Sequence, residues 1–295
     1  LPYTLKKTKM RFLLIFLILP QLLWSQQDSL LQTFKKADWH KTKIAPKVSW
    51  EKHHFKNAEL FHANQNINVL KIKRHHQKLK LAFGSGGQTL IPTSEQGKKA
   101  GAIAALNGTF FDVKNGGSVD FIRIDGHILD TTRLSSKILA EHQRSAIVIQ
   151  RNQIQIIAGD SIAGWEKRLP EENVMVTGPL LIHKGKLLTL SSRPFNTTRH
   201  PRTAMGITKK GKILWITVDG RAKESAGMSL FELSLLMGAL GCVEAINLDG
   251  GGSTTLWIDG TTQTGIVNMP CDDKVFDEFG ERKVSNVLLL RRRKR

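Results

Sequence analysis

Val243-Glu244-Ala245-Ile246-Asn247-Leu248-Asp249-Gly250-Gly251-Gly252-Ser253-Thr254-Thr255-Leu256-Trp257-Ile258 reads as a strand, a glycine loop and a second strand. A dinucleotide-binding winding needs a helix after its glycines, and residues 254–258 are β-branched and aromatic instead. No Gly-Lys-Ser/Thr follows, so the loop is not a Walker loop. Nor does a glycine stand two residues after Ser253, as a serine-hydrolase elbow requires. Three consecutive glycines do let the backbone approach a ligand closely and can turn several N–H groups into one concavity. With Asp249 before them and Ser253 and Thr254 after them, Gly250, Gly251 and Gly252 mark a candidate site.

Outward from this loop the pattern stays strand-rich. Runs at 67–73, 78–83, 102–106, 119–124, 145–150, 153–158, 174–176, 203–207, 212–218 and 284–290 combine β-branched residues with strand-length spacing. Arg151-Asn152 and residues 209–211 read as hairpin turns. One helix is well signalled. Ser229 and Glu232 form a capping box, residues 230–240 are apolar almost all round, and Gly241 is placed to end the helix. A helix of that composition must be buried, here against a sheet. Strands outnumber helices and do not alternate with them, so the fold class is α+β, with a strand-rich sheet and a few packed helices.

The ends differ from the middle. The net charge of +19 resembles a nucleic-acid signal until it is located. Residues 1–83 hold 16 Lys/Arg against 4 Asp/Glu, whereas residues 84–290 hold 23 against 21. A near-neutral central domain leaves only non-specific ionic contacts to nucleic acid, so no specific nucleic-acid partner is expected. Lys6, Lys7, Lys9 and Arg11 precede an apolar run at 12–24, and Ser25 is followed by a polar stretch. This is the layout of a secretory signal peptide over 1–25, predicting export to the periplasm or the exterior after cleavage near Ser25. No apolar run reaches the length of a bilayer-crossing helix, so no transmembrane anchor is expected. Residues 26–66 read as an irregular or partly helical lead-in, 67–290 as the single large domain, and 291–295 as a solvated basic tail. Cys242 and Cys271 are equally consistent with a disulfide or with two buried thiols. His40, His53, His54, His62, His75 and His76 lack ligand spacing.

Polar islands interrupt the apolar framework at Asn107-Gly108-Thr109-Phe110-Phe111, Thr177-Gly178, Arg202-Thr203-Ala204-Met205-Gly206, Asp219-Gly220, the glycine loop and Val284-Ser285. In this order the series resembles the phosphodiester glycosidase family over about residues 67–290. The resemblance implies an α+β fold with a mixed sheet, a single active-site cleft, and hydrolysis of the glycosidic bond in a sugar-1-phosphodiester of an envelope or extracellular glycan.

The chemistry fits those residue types. Breaking the anomeric C–O bond of such a diester expels a phosphate monoester, an anion that leaves with little help from a general acid. The site must therefore hold the departing phosphate and oppose a carboxylate to the oxocarbenium charge. Asp249 is the first choice for that carboxylate and Asp219 the second. Arg202 offers a planar fork for phosphate oxygens, and the amides of residues 250–253 offer fixed dipoles. Asn107, Thr203 and Ser253 are expected to orient sugar hydroxyls or phosphate oxygens, with Gly108, Thr177, Gly178 and Thr254 also in the site; Asp112 and Arg221 are weaker candidates. No cofactor is implied, and the chemistry is compatible with a divalent metal for which no ligand set stands out. Two other classes share these residues. A phosphoglycan-binding protein would use the same arginine and glycines without turnover, and a phosphodiesterase would break P–O instead.

Overall fold

The computed structural model describes residues 30–293, apart from 31, 35, 74–77 and 135–137. The expected leader, His75, His76 and the last two residues of the expected tail lie outside the described residues. The chain divides into two units at Ala37/Asp38, and the described residues of the first are mostly helical. The second contains all that follows.

The second unit is built from sheets. The largest has eight strands, in the spatial order His40–Ala45, Val48–Leu60, Ala63–Ile72, Ile213–Val218, Arg202–Thr208, Cys242–Asn247, Leu180–His183, Lys186–Leu187. A five-stranded sheet runs Gln153–Ala158, Ser145–Gln150, Asn173–Val176, Ile122–Ile124, His127–Asp130. A four-stranded sheet runs Leu256–Ile258, Ala102–Asn107, Asn286–Arg292, Leu79–Ser85, and Ile91–Pro92 pairs separately with Lys283–Val284. Trp50, Leu70, Met205, Trp215 and Ile246 of the first sheet, Ile147 and Met175 of the second, and Phe83, Leu106 and Leu288 of the third share one buried core. Burial on that scale is the main stabilising term, at about 25 cal/mol per Å² of apolar surface.

The helix Leu230–Ala239 forms as its sequence dictates. Ser229 Oγ accepts the Glu232 N–H at 3.2 Å, and the Glu232 carboxylate accepts the Ser229 N–H at 2.9 Å. Gly241 follows at φ 81°, a left-handed conformation that favours glycine at a helix end. Leu230, Leu233, Leu236 and Met237 are fully buried, whereas Phe231 is exposed. In the hairpin turn at Arg151-Asn152 both residues have positive φ, 48° and 62°, which matches the strand twist.

Three expectations need correction. Every strand pairing among the described residues is antiparallel, where the family resemblance implies a mixed sheet. Parallel neighbours need long crossovers, and most strands here are joined by hairpins or short loops. Second, residues 40–60 are not an irregular lead-in. They form two strands of the large sheet, and Val48–Leu60 pairs with Ala63–Ile72. Val48, Trp50, Phe55 and Leu60 are buried there, and the Lys and His residues between them hide the alternation in the sequence. Third, Arg291 and Arg292 are not tail but continue the last strand, opposite Lys80 and Leu79. Of the two readings left open for Cys242 and Cys271, that of two thiols holds: both are free, Cys242 buried and Cys271 partly so, and burial pushes the Cys242 thiol up to about 12. No helix among the described residues is long and apolar enough to cross a membrane.

Candidate active site

Antiparallel pairing brings the polar islands to one end of the sheets. Arg202 opens a strand opposite Val218, and Ala204 lies opposite Asn247. Val287, at the start of the last strand, lies opposite Asn107. Asn107, Arg202, Asp219, Asn247 and Asn286 therefore meet where their strands begin or end.

Asn107 is the hub of this end. Its amide donates to the Asp249 carbonyl at 2.7 Å, and its Oδ1 accepts from Thr203 Oγ1 at 2.8 Å and from the Thr255 N–H at 3.0 Å. Asn107 and Thr203 are completely buried. Their hydrogen bonds hold the glycine loop to two strands, so their part is framework rather than contact with sugar hydroxyls. Asn247 does the same for Thr177-Gly178, donating to the Gly178 carbonyl at 2.9 Å and accepting from Thr177 Oγ1 through its own carbonyl at 3.3 Å. Gly108 is required by crowding, because a Cβ there would stand 2.0 Å from Asn286 Oδ1.

The two candidate carboxylates differ in their surroundings. Asp219 is fully buried and accepts from Asn66 at 2.7 Å, Asn268 at 2.9 Å and the Met269 N–H at 3.0 Å. Burial raises it from 3.8 to about 7 against those three donors. It ties three segments together. Asp249 keeps part of its surface open. Burial again dominates and raises it from 3.8 to about 6, while Ser253, the Gly250 N–H and Arg282 draw it back and the charge of Asp120 adds to the rise.

Arg202 is not the free fork that its motif advertises. It is almost completely buried. Nε donates to the Met228 carbonyl at 2.8 Å, Nη2 donates to those of Phe195 and Thr198 at 2.7 and 3.0 Å, and the guanidinium lies 5.0 Å from the Phe195 ring centre. Burial first, then Arg221, lowers it to about 10. The accessible cations beside the glycine loop are Arg221 and Arg282. A Cβ on Gly251 would lie 3.1 Å from Arg221 Nη2, and one on Gly252 would lie 2.6 Å from Arg282 Nη2. The bare backbone of these glycines is what lets both guanidiniums lie against the loop. Arg282 also pairs with Asp272, which raises it. The loop amides are partly committed, since Gly251 N–H donates to the Pro201 carbonyl at 2.9 Å and Ser253 N–H to the Gly250 carbonyl at 3.2 Å. The Thr254 hydroxyl is buried without a protein partner, and the buried Ser253 hydroxyl has the Asp249 carboxylate beside it.

Sequence reasoning missed a further wall. His142 packs on Phe110 with ring centres 4.6 Å apart, and Phe110 packs edge-on to the half-exposed Phe195 at 5.9 Å. His142 Nε2 lies 3.4 Å from Asp120 Oδ1. Neither His142 nor Arg282 falls in a polar island, and no spacing signal marks either. Asp112 stands apart from this wall, bonded to Asn115 and Arg133 at the exposed surface. No group of three or more His, Cys, Asp or Glu suited to a metal ion occurs among the described residues.

The family model for phosphodiester glycosidase matches residues 100–291. The bovine N-acetylglucosamine-1-phosphodiester alpha-N-acetylglucosaminidase is 28% identical over 199 residues, covering 60% of this chain and 35% of the bovine protein. An uncharacterized SPbeta prophage-derived protein of Bacillus subtilis is 40% identical over 62 residues, 21% of this chain and 10% of that protein. The match thus spans about a third or less of these relatives. The catalytic domain of the zebrafish alpha-N-acetylglucosaminidase superposes with a TM-score of 0.65 at 19% identity, covering 87% of this chain and 88% of that one. A hypothetical protein from Synechocystis gives 0.63 at 16% identity, covering 87% and 64%. At such identities the likeness is one of fold.

Proposed function

The chain belongs to the phosphodiester glycosidase family, and from that premise we propose that it is an exported hydrolase that cleaves the glycosidic bond of a sugar-1-phosphodiester. The products are the free sugar and a phosphate monoester, and the substrate is an envelope or extracellular glycan. The observation that carries this reading is the setting of Asp249. A partly open, desolvated carboxylate raised to about 6 stands beside a glycine loop flanked by Arg221 and Arg282.

The roles follow from that arrangement. Asp249 opposes its negative charge to the oxocarbenium character that develops as the anomeric C–O bond lengthens. Arg282 and Arg221 receive the phosphate monoester as it leaves, with charge-assisted hydrogen bonds suited to its oxygens. The buried hydroxyls of Ser253 and Thr254 support the loop from within, Ser253 beside Asp249, and the carbohydrate sits in one cleft between the glycine loop and the Phe110–Phe195 wall. Arg202, Asp219, Asn107 and Thr203 hold this geometry from beneath. Export is supported by the basic and apolar leader over 1–25.

A product assay on a synthetic sugar-1-phosphodiester tests the reading. Free sugar plus phosphate monoester is the expected outcome. Sugar-1-phosphate plus alcohol would make the protein a phosphodiesterase, and binding without turnover would make it a phosphoglycan receptor.

A further inference from the structure

Hydrolysis at an anomeric carbon consumes a water, and the proton that water loses needs an acceptor. Asp120 is a completely buried carboxylate next to the site, and its charge is felt by Asp249. It accepts from Thr109 Oγ1 at 3.0 Å and from Gln143 Nε2 at 3.1 Å, and its third neighbour is the imidazole of His142. The His142 side chain is 28% exposed, so the pair has one dry end and one wet end. Phe110 covers one side of the ring, and Gly178 lies against the His142 backbone, 3.0 Å from its carbonyl if given a Cβ. Thr109 and Phe110 belong to the same loop as Asn107, whose amide holds the Asp249 carbonyl. The pair is therefore tied to Asp249 through two short stretches of chain.

We propose that His142, oriented by Asp120, is the general base of the hydrolysis. The inference rests on the glycosidase reading above. With Nε2 turned to Asp120, Nδ1 is the nitrogen left to accept a proton. His142 takes one proton from water while the water oxygen bonds to the anomeric carbon. The C1–O bond breaks, its electron pair leaves on the phosphate monoester, and the imidazolium returns its proton to solvent. Asp120 holds the ring in the accepting tautomer and stabilises the imidazolium as it forms, as a carboxylate does in other His–Asp pairs. A stacked surface histidine with no part in the chemistry would not need a buried carboxylate beneath it held by two further donors.

The test compares the full chain with His142→Ala and Asp120→Asn on the same sugar-1-phosphodiester, with melting temperature as control. His142→Ala should lower kcat by roughly 10²- to 10⁴-fold, the usual contribution of a general base, with KM little changed. Added imidazole should restore part of the lost rate, and substituted imidazoles should restore more as their basicity rises. Asp120→Asn should lower kcat about tenfold or more, without an imidazole response, because its histidine is still in place. Near-full activity of a folded His142→Ala, or a loss that no imidazole restores, would overturn the assignment and leave the glycosidase reading standing. A wild-type protein that releases no free sugar would overturn both. If His142→Ala fails to fold, His142→Gln replaces it, and retention of more than a tenth of the wild-type kcat would sink the proposal.

Discussion

Replacing Asp249 with asparagine should remove activity and raise stability at neutral pH. The second half follows from the direction of its pKa. A carboxyl raised from 3.8 to about 6 by burial gives up its proton more readily in the unfolded chain, so ionisation favours unfolding. Near pH 4 the folded group is protonated and the unfolded one about half ionised, so little of the penalty has developed, and below about pH 3 it is absent. It grows as pH rises from 3.8 and is complete above 6. The rise from 3.8 to about 6 corresponds to about 3 kcal/mol. Part of Asp249 is open to solvent, which screens the effect, so about 1–2 kcal/mol is the reasonable expectation. The pull of Arg282, Ser253 and the Gly250 N–H is already counted in that net shift.

The side-chain amide of Asp249→Asn would keep an oxygen to accept from the Gly250 N–H, so the variant loses charge without leaving a vacant site. Thermal unfolding of the wild type and of Asp249→Asn at pH 4 and pH 7.5, with turnover measured on the same samples, gives the check. The variant should melt roughly 2–6 °C higher at pH 7.5, the two should nearly coincide at pH 4, and turnover should fall on the order of 10²-fold or more. Higher stability with lost activity is the signature of an electrostatically strained working group. A variant that melts lower than the wild type at pH 7.5, or that retains activity, would refute the reasoning.

Asp219→Asn should show no such gain in melting experiments, because the relief of removing a buried charge is offset when an amide NH₂ faces one of the three donors that now converge on the carboxylate. Arg202→Lys should lower the melting temperature, since one ammonium cannot reach the carbonyls of Met228, Phe195 and Thr198 together, and its effect on phosphodiesters and aryl glycosides should be alike per folded molecule. Arg282→Ala should instead impair phosphodiester turnover about tenfold or more while sparing aryl glycosides, and side-by-side kinetics on both substrate types distinguish the two arginines. N-terminal sequencing of the exported protein should find a start near Gln26; an intact 11–24 segment on a cytoplasmic protein would remove the export reading.

Much of the fold was legible because its signals are local. The capping box at Ser229 and Glu232, the Arg151-Asn152 turn and the apolar runs each describe a few neighbouring residues whose own chemistry selects the conformation. What escaped was non-local. Val48–Leu60 becomes a strand because Ala63–Ile72 and His40–Ala45 offer it partners on both sides, and its charged alternation makes sense only once those partners are present. The same holds for strand direction, which depends on how connections run and not on the composition of any one strand.

The site was legible in a lopsided way, and the reason is physical. A polar residue at the end of an apolar strand stands out in a sequence because it breaks a pattern. Asn107, Thr203, Arg202 and Asp219 all drew notice on that ground. A polar group at such a position is also about to be buried, and a buried polar group must find partners inside the protein. The feature that makes these residues conspicuous therefore commits their hydrogen bonds to the framework, as the three carbonyls around Arg202 and the three donors around Asp219 show. Groups left free for a substrate need irregular backbone and partial exposure, where no period exists to be broken. Arg282 sits in such a segment, and only the fold brings it against the glycine loop, as only the fold sets His142 against Asp120 and Phe110. Asp249 differs from Asn107, Thr203, Arg202 and Asp219 on one point: it follows a strand end closely enough to stand out in the sequence, yet in the glycine loop it stays only partly buried.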